Sequence, residues 1–238
     1  MSTAVDAAPH AESGHGHADH PDYLQHHFDN PEQQEGAAKL GMWLFLATEL
    51  LMFSGLFVAY FFMRDQYPDM VLRYHEHLDK WLGALNTVFL ITSSFTMAMA
   101  VRSAQINRPK LSAQLLVATI VLGLAFMVVK YFEYSAKIEH GLLPGNAFAE
   151  VIHSVAGESV QPGWYGGPQL FFGLYFTMTG LHGLHVLVGV GLLAWILVKT
   201  RRGRFSGSYY TPVENVGLYW HLVDLVWIFL FPLLYLVK

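Results

Sequence analysis

The sequence predicts an all-α membrane protein, a polytopic bundle with five transmembrane helices. Hydrophobic residues make up 53% of the 238 residues and charged residues only 13%, whereas about a quarter of a soluble domain is charged. Five apolar runs each reach the roughly 20 residues that a helix needs to cross about 30 Å of hydrocarbon. Continuous runs fit helices and not the alternating strands of a membrane barrel. The predicted spans lie near 40–63, 81–101, 111–129, 170–198 and 216–237.

The placement of lysine and arginine predicts how the bundle is oriented in the membrane. Short loops rich in these residues remain in the cytoplasm. Two such loops follow the second and fourth spans, and the loops on the opposite side mix basic with acidic residues. The N-terminus is therefore predicted to be cytoplasmic and the C-terminus external. The basic residues of the two loops are Arg102, Arg108, Lys110, Lys199, Arg201, Arg202 and Arg204.

The first 34 residues are predicted to form a disordered, histidine-rich tail, followed by a transmembrane domain over 35–238. The tail holds few large apolar side chains that could offset the entropy of ordering. It has neither the regions of a signal peptide nor the pattern of a mitochondrial presequence. Its histidines are candidates for binding metal or collecting protons, and the alternative is a tract that only aids solubility. They are His10, His15, His17, His20, His26 and His27.

Composition and loop length limit the remaining functions. The chain has no cysteine, which excludes disulfides, thiolate metal sites and thiol nucleophiles within it. A formal charge of −4 gives no support for nucleic-acid binding. The segment 134–169, between the third and fourth spans, is predicted to be a long external loop docked on the protein, because structureless connections of that length are uncommon.

A single carboxylate, Glu49, interrupts the first span within the segment FLATELLMFSGLF. It follows Leu40 by nine residues, so it lies roughly 13 Å along the helix axis. A charged side chain at such depth costs about 2.5–3.5 kcal/mol on insertion scales. One interpretation is a site for proton handling or for contact between subunits. The other is a neutral, hydrogen-bonded acid with a structural role, and the residues alone leave both open.

The fourth and fifth spans carry polar groups at helical spacing. In GLHGLHVLVG, His182 and His185 share one helix face, and in YWHLVDLVW, His221 and Asp224 share another. Such groups on adjacent helices could ligate a metal or a haem. We favour a buried hydrogen-bond network that fixes the two helices together. The fourth span also contains four glycines. Because glycine has no side chain, they predict a close approach by another backbone: Gly180, Gly183, Gly189 and Gly191.

The end of the third span, VVKYFEYSAKIEH, places Lys130, Glu133 and Lys137 at positions i, i+3 and i+7. Charged side chains beside aromatic ones are typical of the boundary between lipid and water. We interpret the three residues as an interfacial charge cluster with aromatic anchors. A functional site is the alternative interpretation.

Four of these segments together resemble subunit III of the haem-copper respiratory oxidases, most closely the bacterial cytochrome c oxidase form. They are GMWLFLATELLMFSGLF, the pair Glu133–Tyr134, GLHGLHVLVG and YWHLVDLVWIFLF, in the order in which the family has them. The resemblance covers about residues 39–238. One such motif would be weak evidence, whereas four in order are specific.

The resemblance implies a non-catalytic subunit of a proton-translocating terminal oxidase in a bacterial plasma membrane. In that family subunit I holds the oxygen-reducing haem and copper, and subunit II receives electrons from cytochrome c. Subunit III packs on subunit I, supports proton uptake, binds phospholipid between its helices and protects the catalytic centre. This chain is then expected to hold no metal or haem itself. The residues that match the family's intramembrane polar positions are Glu49, Glu133, His182, His185, His221 and Asp224.

Two features depart from the family pattern. Larger members have seven helices, and the first two have no counterpart here, so a lipid-holding cleft is expected to be missing or completed by another subunit. The segment 134–169 is longer than usual and is a candidate contact for a further respiratory subunit.

Other functions stay open at this point. The chain could be subunit III of a quinol oxidase, a free-standing proton-coupled carrier that uses Glu49, His182 and His221, or a membrane haem protein. A carrier would purify alone, and a haem protein would show a Soret band by itself. A subunit III would instead travel with haem-bearing chains.

Overall fold

The computed structural model describes residues 23–75, 78–139, 168–207 and 209–236, and six α-helices lie within them. All except the second are long and apolar enough to span a membrane. The predicted class, an all-α polytopic bundle with five spanning helices, is confirmed. The helices are α1 (Pro31–Gln66), α2 (Pro68–Tyr74), α3 (Lys80–Gln105), α4 (Pro109–Glu139), α5 (Pro168–Arg201) and α6 (Thr211–Tyr235).

Helix α1 begins at Pro31, whereas the predicted span begins at residue 40. The side chain of Asn30 accepts a hydrogen bond from the backbone N–H of Gln33 at 2.8 Å. The side-chain oxygen of Gln33 in turn accepts one from the backbone N–H of Asp29, also at 2.8 Å. This reciprocal capping, with proline in the first turn, starts the helix in a polar stretch that hydropathy does not detect.

Only the end of the predicted tail lies in the described part of the chain. The ring of Tyr23 stacks on that of Tyr209, with 4.3 Å between the centroids, and Gln34 belongs to α1. His26 and His27 are exposed. The tail histidines His10, His15, His17 and His20 lie outside the described residues, so the disordered tail stays a prediction.

The third predicted span ends before the helix does, and the fourth begins after it. The predicted loop 134–169 is therefore too long at both ends. Helix α4 continues to Glu139, and α5 begins at Pro168. Helix α4 continues because Glu133 pairs with Lys130 one turn before it and with Lys137 one turn after it. Residues 140–167 of the predicted loop lie outside the described residues.

The short helix α2 is absent from the predicted elements, because its seven residues are too few for a span. It contacts α1 and α5. Val71 is fully buried in this contact, and the ring of Tyr74 lies 6.1 Å from that of Phe172. The helix therefore closes one end of the bundle.

Helix α6 is the centre of the bundle. Half of its spanning segment is buried, against 17–28% for the other four helices. It contacts α1, α3 and α5, while α3 and α4 form a hairpin and α4 closes against α5. Trp220, Trp227 and Tyr235 on α6 are fully buried. Asp224 on the same helix is 2% exposed and therefore faces protein and not lipid.

The indole ring of Trp220 fills a space left by two glycines on neighbouring helices. A Cβ atom on Gly123 of α4 would lie 2.7 Å from the ring, and one on Gly189 of α5 would lie 2.8 Å from it. A Cβ atom on Gly191 would meet nothing within 4 Å. At Gly189 a side chain, and not the predicted neighbouring backbone, therefore occupies the glycine face of α5.

Large apolar side chains cover the outside of the helices. On α1 alone, Trp43, Leu51 and Phe62 are 61%, 72% and 68% exposed. Such a surface is stable only against lipid or against another protein. The packing therefore agrees with a membrane bundle whose polar groups are inside.

Candidate functional site

The side chains of the predicted helix 4 and helix 5 network do not bond to one another. His185 binds Glu49, His221 binds Ser94, and Asp224 binds Ser93. The fourth member, His182, is buried between aromatic rings. The polar interior therefore consists of separate groups, each joining different helices.

The first group is the pair that Glu49 of α1 forms with His185 of α5. Their side-chain atoms Oε2 and Nε2 are 2.9 Å apart. The other ring nitrogen, Nδ1, lies 2.8 Å from the backbone oxygen of Leu181, which can only accept, so Nδ1 carries a proton. One further proton then lies between Glu49 and His185. The pair has no net charge whichever of the two holds that proton.

This neutrality removes much of the difficulty of placing Glu49 in the membrane. A lone charge in hydrocarbon is costly, whereas a hydrogen-bonded pair without net charge is far less so. The side chains of His185 and Glu49 are 15% and 17% exposed. His185 also faces a groove of about 290 Å³ between α1, α5 and α6, which is lined almost wholly by apolar side chains. The pair thus lies inside the protein beside an apolar groove.

Glu49 is expected to be the intramembrane acid that reacts with a hydrophobic carbodiimide. Its side chain is 17% exposed, whereas Glu133 and Asp224 are 3% and 2% exposed, so a reagent dissolved in lipid reaches Glu49 most easily. Labelling of intact membranes followed by mass spectrometry should place the adduct on Glu49. The Glu49→Gln variant should carry none, and an adduct that persists in it would contradict the assignment.

The second group, which we call the Glu133 cluster, contains Lys130, Glu133, Lys137, Tyr175 and Tyr235. Lys130 donates to Oε2 of Glu133 at 2.8 Å. Oε1 of the same carboxylate accepts from Lys137 and Tyr175 at 2.9 Å and from Tyr235 at 2.6 Å. All five residues are at most 6% exposed. Lys130, Glu133 and Lys137 thus contact one another inside the bundle, and their position at the boundary between lipid and water stays a prediction.

The Glu133 cluster places two ammonium groups against one carboxylate. Lys130 lies over the ring of Trp227, 4.7 Å from its centroid, and Lys137 lies 5.1 Å from that of Tyr175. Aromatic faces attract cations, so they partly compensate for the lack of a second carboxylate beside the two ammonium groups. Two of the four donors to the Glu133 carboxylate, Tyr175 of α5 and Tyr235 of α6, join α4 to those helices.

The third group joins α3 to α6. Ser93 donates to Oδ2 of Asp224 at 3.4 Å and accepts from the indole N–H of Trp220 at 3.0 Å. Ser94 lies 2.7 Å from Nδ1 of His221. These contacts hold α6 against α3 along the part of α6 that carries its polar residues.

His182 differs from the other predicted polar residues. It is fully buried, and its ring lies 5.5 Å from Phe126 and 5.3 Å from Trp227. Neither ring nitrogen bonds to another group in the described part of the chain. His182 therefore contributes packing and does not join the predicted network.

The described residues contain no group of three or more His, Asp or Glu side chains placed to ligate a metal. His182 and His185 are close in the chain but face different surroundings, an aromatic pocket and Glu49. The chemistry that these groups support is hydrogen bonding between helices.

The sequence reasoning missed four partners of the polar residues: Ser93, Ser94, Tyr175 and Tyr235. A signal existed for Tyr175, since it precedes His182 by two helical turns and so shares its face. The two adjacent serines in the second span were a further signal, because small polar residues often join membrane helices.

Comparison with known proteins identifies one family that the chain matches. The chain matches the family model described as cytochrome c oxidase subunit III over residues 22–140 and 155–238. Cytochrome c oxidase subunit 3 of Synechocystis sp. is 30% identical over 93% of this chain and 79% of its own length. Quinol oxidase subunit 3 of Bacillus subtilis is 28% identical over 83% of this chain and 85% of its own.

A third relative is a longer protein. The heme-copper oxidase subunit I+III of Aeropyrum pernix is 30% identical over 91% of this chain, which spans 24% of that protein. The family model and all three relatives agree on the subunit, and the matched residues include all five spanning helices. The chain belongs to the cytochrome c oxidase subunit III family.

Proposed function

We propose that this chain is the non-catalytic subunit III of a proton-translocating terminal oxidase in a bacterial plasma membrane. In this role it packs on subunit I and stabilises the oxygen-reducing core, whose haem and copper belong to the partner subunits. The supporting observation is that the acids within the spanning helices serve to join helices. Glu49 joins α1 to α5, and Glu133 joins α4 to α5 and α6.

Subunits I and II are the proposed partners. The apolar outer surfaces of the spanning helices are suited to a membrane-embedded neighbour, although they are equally suited to lipid. Cytochrome c is the proposed electron donor of the complex, and quinol is the alternative. Relatives with both names are similar to this chain, so the donor is decided on the other subunits.

A phospholipid is the proposed occupant of the groove between α1, α5 and α6. Its lining includes Phe45 of α1, Leu184 and Val188 of α5, and Tyr219 of α6. These side chains offer an acyl chain an apolar surface inside the bundle. Supporting proton uptake by subunit I would then follow from holding the complex and its lipids in place.

Purification in a mild detergent tests the proposed function. A tagged copy of the chain should bring down haem-bearing subunits, and the preparation should reduce oxygen with cytochrome c as donor. The separated chain should show no Soret band. Recovery of the chain alone would favour a carrier, and activity with quinol but not cytochrome c would favour the quinol oxidase.

The tail is proposed to collect protons for subunit I, through His15, His17, His20, His26 and His27. Histidine changes charge between about pH 5 and 8, so it can pass on protons near neutrality. Removing residues 1–30, which include all five histidines, should slow oxygen reduction more at alkaline pH, where bulk protons are scarce. A tail of equal length with glutamine in place of histidine should behave like the deletion. Unchanged pH dependence in both variants would exclude the proposal.

A further inference from the structure

Two neighbouring segments at one end of the bundle concentrate positive charge, while the acids at that end, Glu32, Glu35 and Glu214, lie on α1 and α6. This basic end is formed by segment 102–110, between α3 and α4, and segment 199–204, at the end of α5. The two segments hold seven lysines and arginines and no aspartate or glutamate. A one-signed surface of this kind attracts anions and raises their local concentration.

A cavity of about 650 Å³ lies at the basic end, between the start of α4 and the end of α5. Its lining combines the cations Lys110 and Arg201 with the polar side chain of Gln114 and the apolar side chains of Ala113 and Val117. The ion pairs found within the described residues involve Lys39, Lys130, Lys137 and His185, and not the two cations of the cavity. Their charges are therefore available to a ligand.

The backbone around the cavity also favours an anion. The first turn of α4, which begins at Pro109, presents the positive end of the helix dipole. The end of α5 presents the negative end of its dipole, but the carbonyl groups of Lys199 and Thr200 there are already bonded. Gly203, with φ of +68°, closes the helix, so its own N–H binds the oxygen of Thr200, and the N–H of Arg204 binds that of Lys199.

An apolar strip leads from the cavity along α4 toward the middle of the bundle. Val117 lines the cavity, and Val121, Leu124 and Val128 follow at helical spacing with exposures of 58%, 45% and 54%. This apolar strip offers no binding surface to a soluble anion. An amphiphile with an anionic head and an acyl chain fits both the cavity and the strip.

We infer that the cavity between α4 and α5 binds the headgroup phosphate of an acidic phospholipid from the leaflet at the basic end. Lys110 and Arg201 contact the phosphate, Gln114 donates a hydrogen bond to the headgroup, and one acyl chain lies along the strip on α4. Basic pockets between membrane helices are suited to such headgroups. The site is separate from the apolar groove beside His185 and does not depend on which electron donor the oxidase uses.

The test uses the whole oxidase carrying Lys110→Gln and Arg201→Gln, washed in detergent with phosphatidylglycerol and then analysed for bound lipid by mass spectrometry. Each removed cation is expected to weaken binding about fivefold, so the double variant should hold the lipid about 25-fold more weakly. The control is Arg102→Gln with Arg202→Gln, which removes the same charge from the basic end but leaves the cavity lining intact. It should lose much less lipid than the variant of the cavity cations does.

Wild-type protein supplies a second measurement that does not depend on the variants folding. Phosphatidylglycerol with a photoreactive headgroup should crosslink within residues 109–117, and phosphatidylcholine with the same group should not. Equal loss of lipid from both double variants, equal crosslinking by both lipids, or displacement of the lipid by soluble glycerophosphate would overturn the inference. The last result would assign the cavity to a free phosphate.

Discussion

Replacing Glu133 by glutamine is expected to destabilise the folded chain by about 3–5 kcal/mol, because it leaves two buried ammonium groups without their counter-charge. The carboxylate accepts hydrogen bonds from Lys130, Lys137, Tyr175 and Tyr235. A neutral amide has one oxygen to accept and brings N–H groups against cations that can only donate. The measurement is the thermal midpoint of the purified oxidase, together with the fraction of complexes that retain this subunit.

Two further variants separate the cause of this loss from a general effect of the substitution. Glu139→Gln makes the same change at the exposed end of the same helix and should leave the midpoint within the error of measurement. The triple variant with Glu133→Gln, Lys130→Met and Lys137→Met removes all three charges and should recover most of the stability. If Glu133→Gln matched Glu139→Gln, the cluster would not hold the helices together.

The same cluster shows how far sequence reasoning reaches. The contact among Lys130, Glu133 and Lys137 was predictable, since residues three and four apart lie on one face of a helix. Their burial was not, because the side chains that cover them, Tyr175 and Tyr235, come from α5 and α6. Local spacing therefore predicted the partners within one helix, and only the packing of three helices decided their environment.

The five spans followed from hydropathy, but their ends did not, since hydropathy detects only the part of a helix that lies in hydrocarbon. The capping sequence at Asn30 and Pro31 was a readable signal for the start of α1. The pairing of Glu49 with His185 had no comparable signal. The two residues are 136 positions apart, and several other polar groups were candidates before the angle between α1 and α5 was known.

Gly189→Ala is expected to weaken the packing of α5 on α6 by about 1–3 kcal/mol, although it adds a single methyl group. The new carbon atom would lie 2.8 Å from the ring of Trp220, so that ring would have to move. It is fully buried, its N–H is bonded to Ser93, and Gly123 bounds it on the other side. A rigid ring held at three points cannot shift without moving a helix.

Gly191→Ala, two residues further along the same helix, is the matched control. Its Cβ atom would meet nothing within 4 Å, and alanine is the better helix former by about 1 kcal/mol, so its thermal midpoint should be unchanged or higher. Combining Gly189→Ala with Trp220→Phe should recover part of the loss, because the smaller ring leaves room for the methyl group. If both glycine variants had the same midpoint, the fit of the Trp220 ring between α4 and α5 would not determine how α6 is held. The glycines of this helix would then act only through its flexibility.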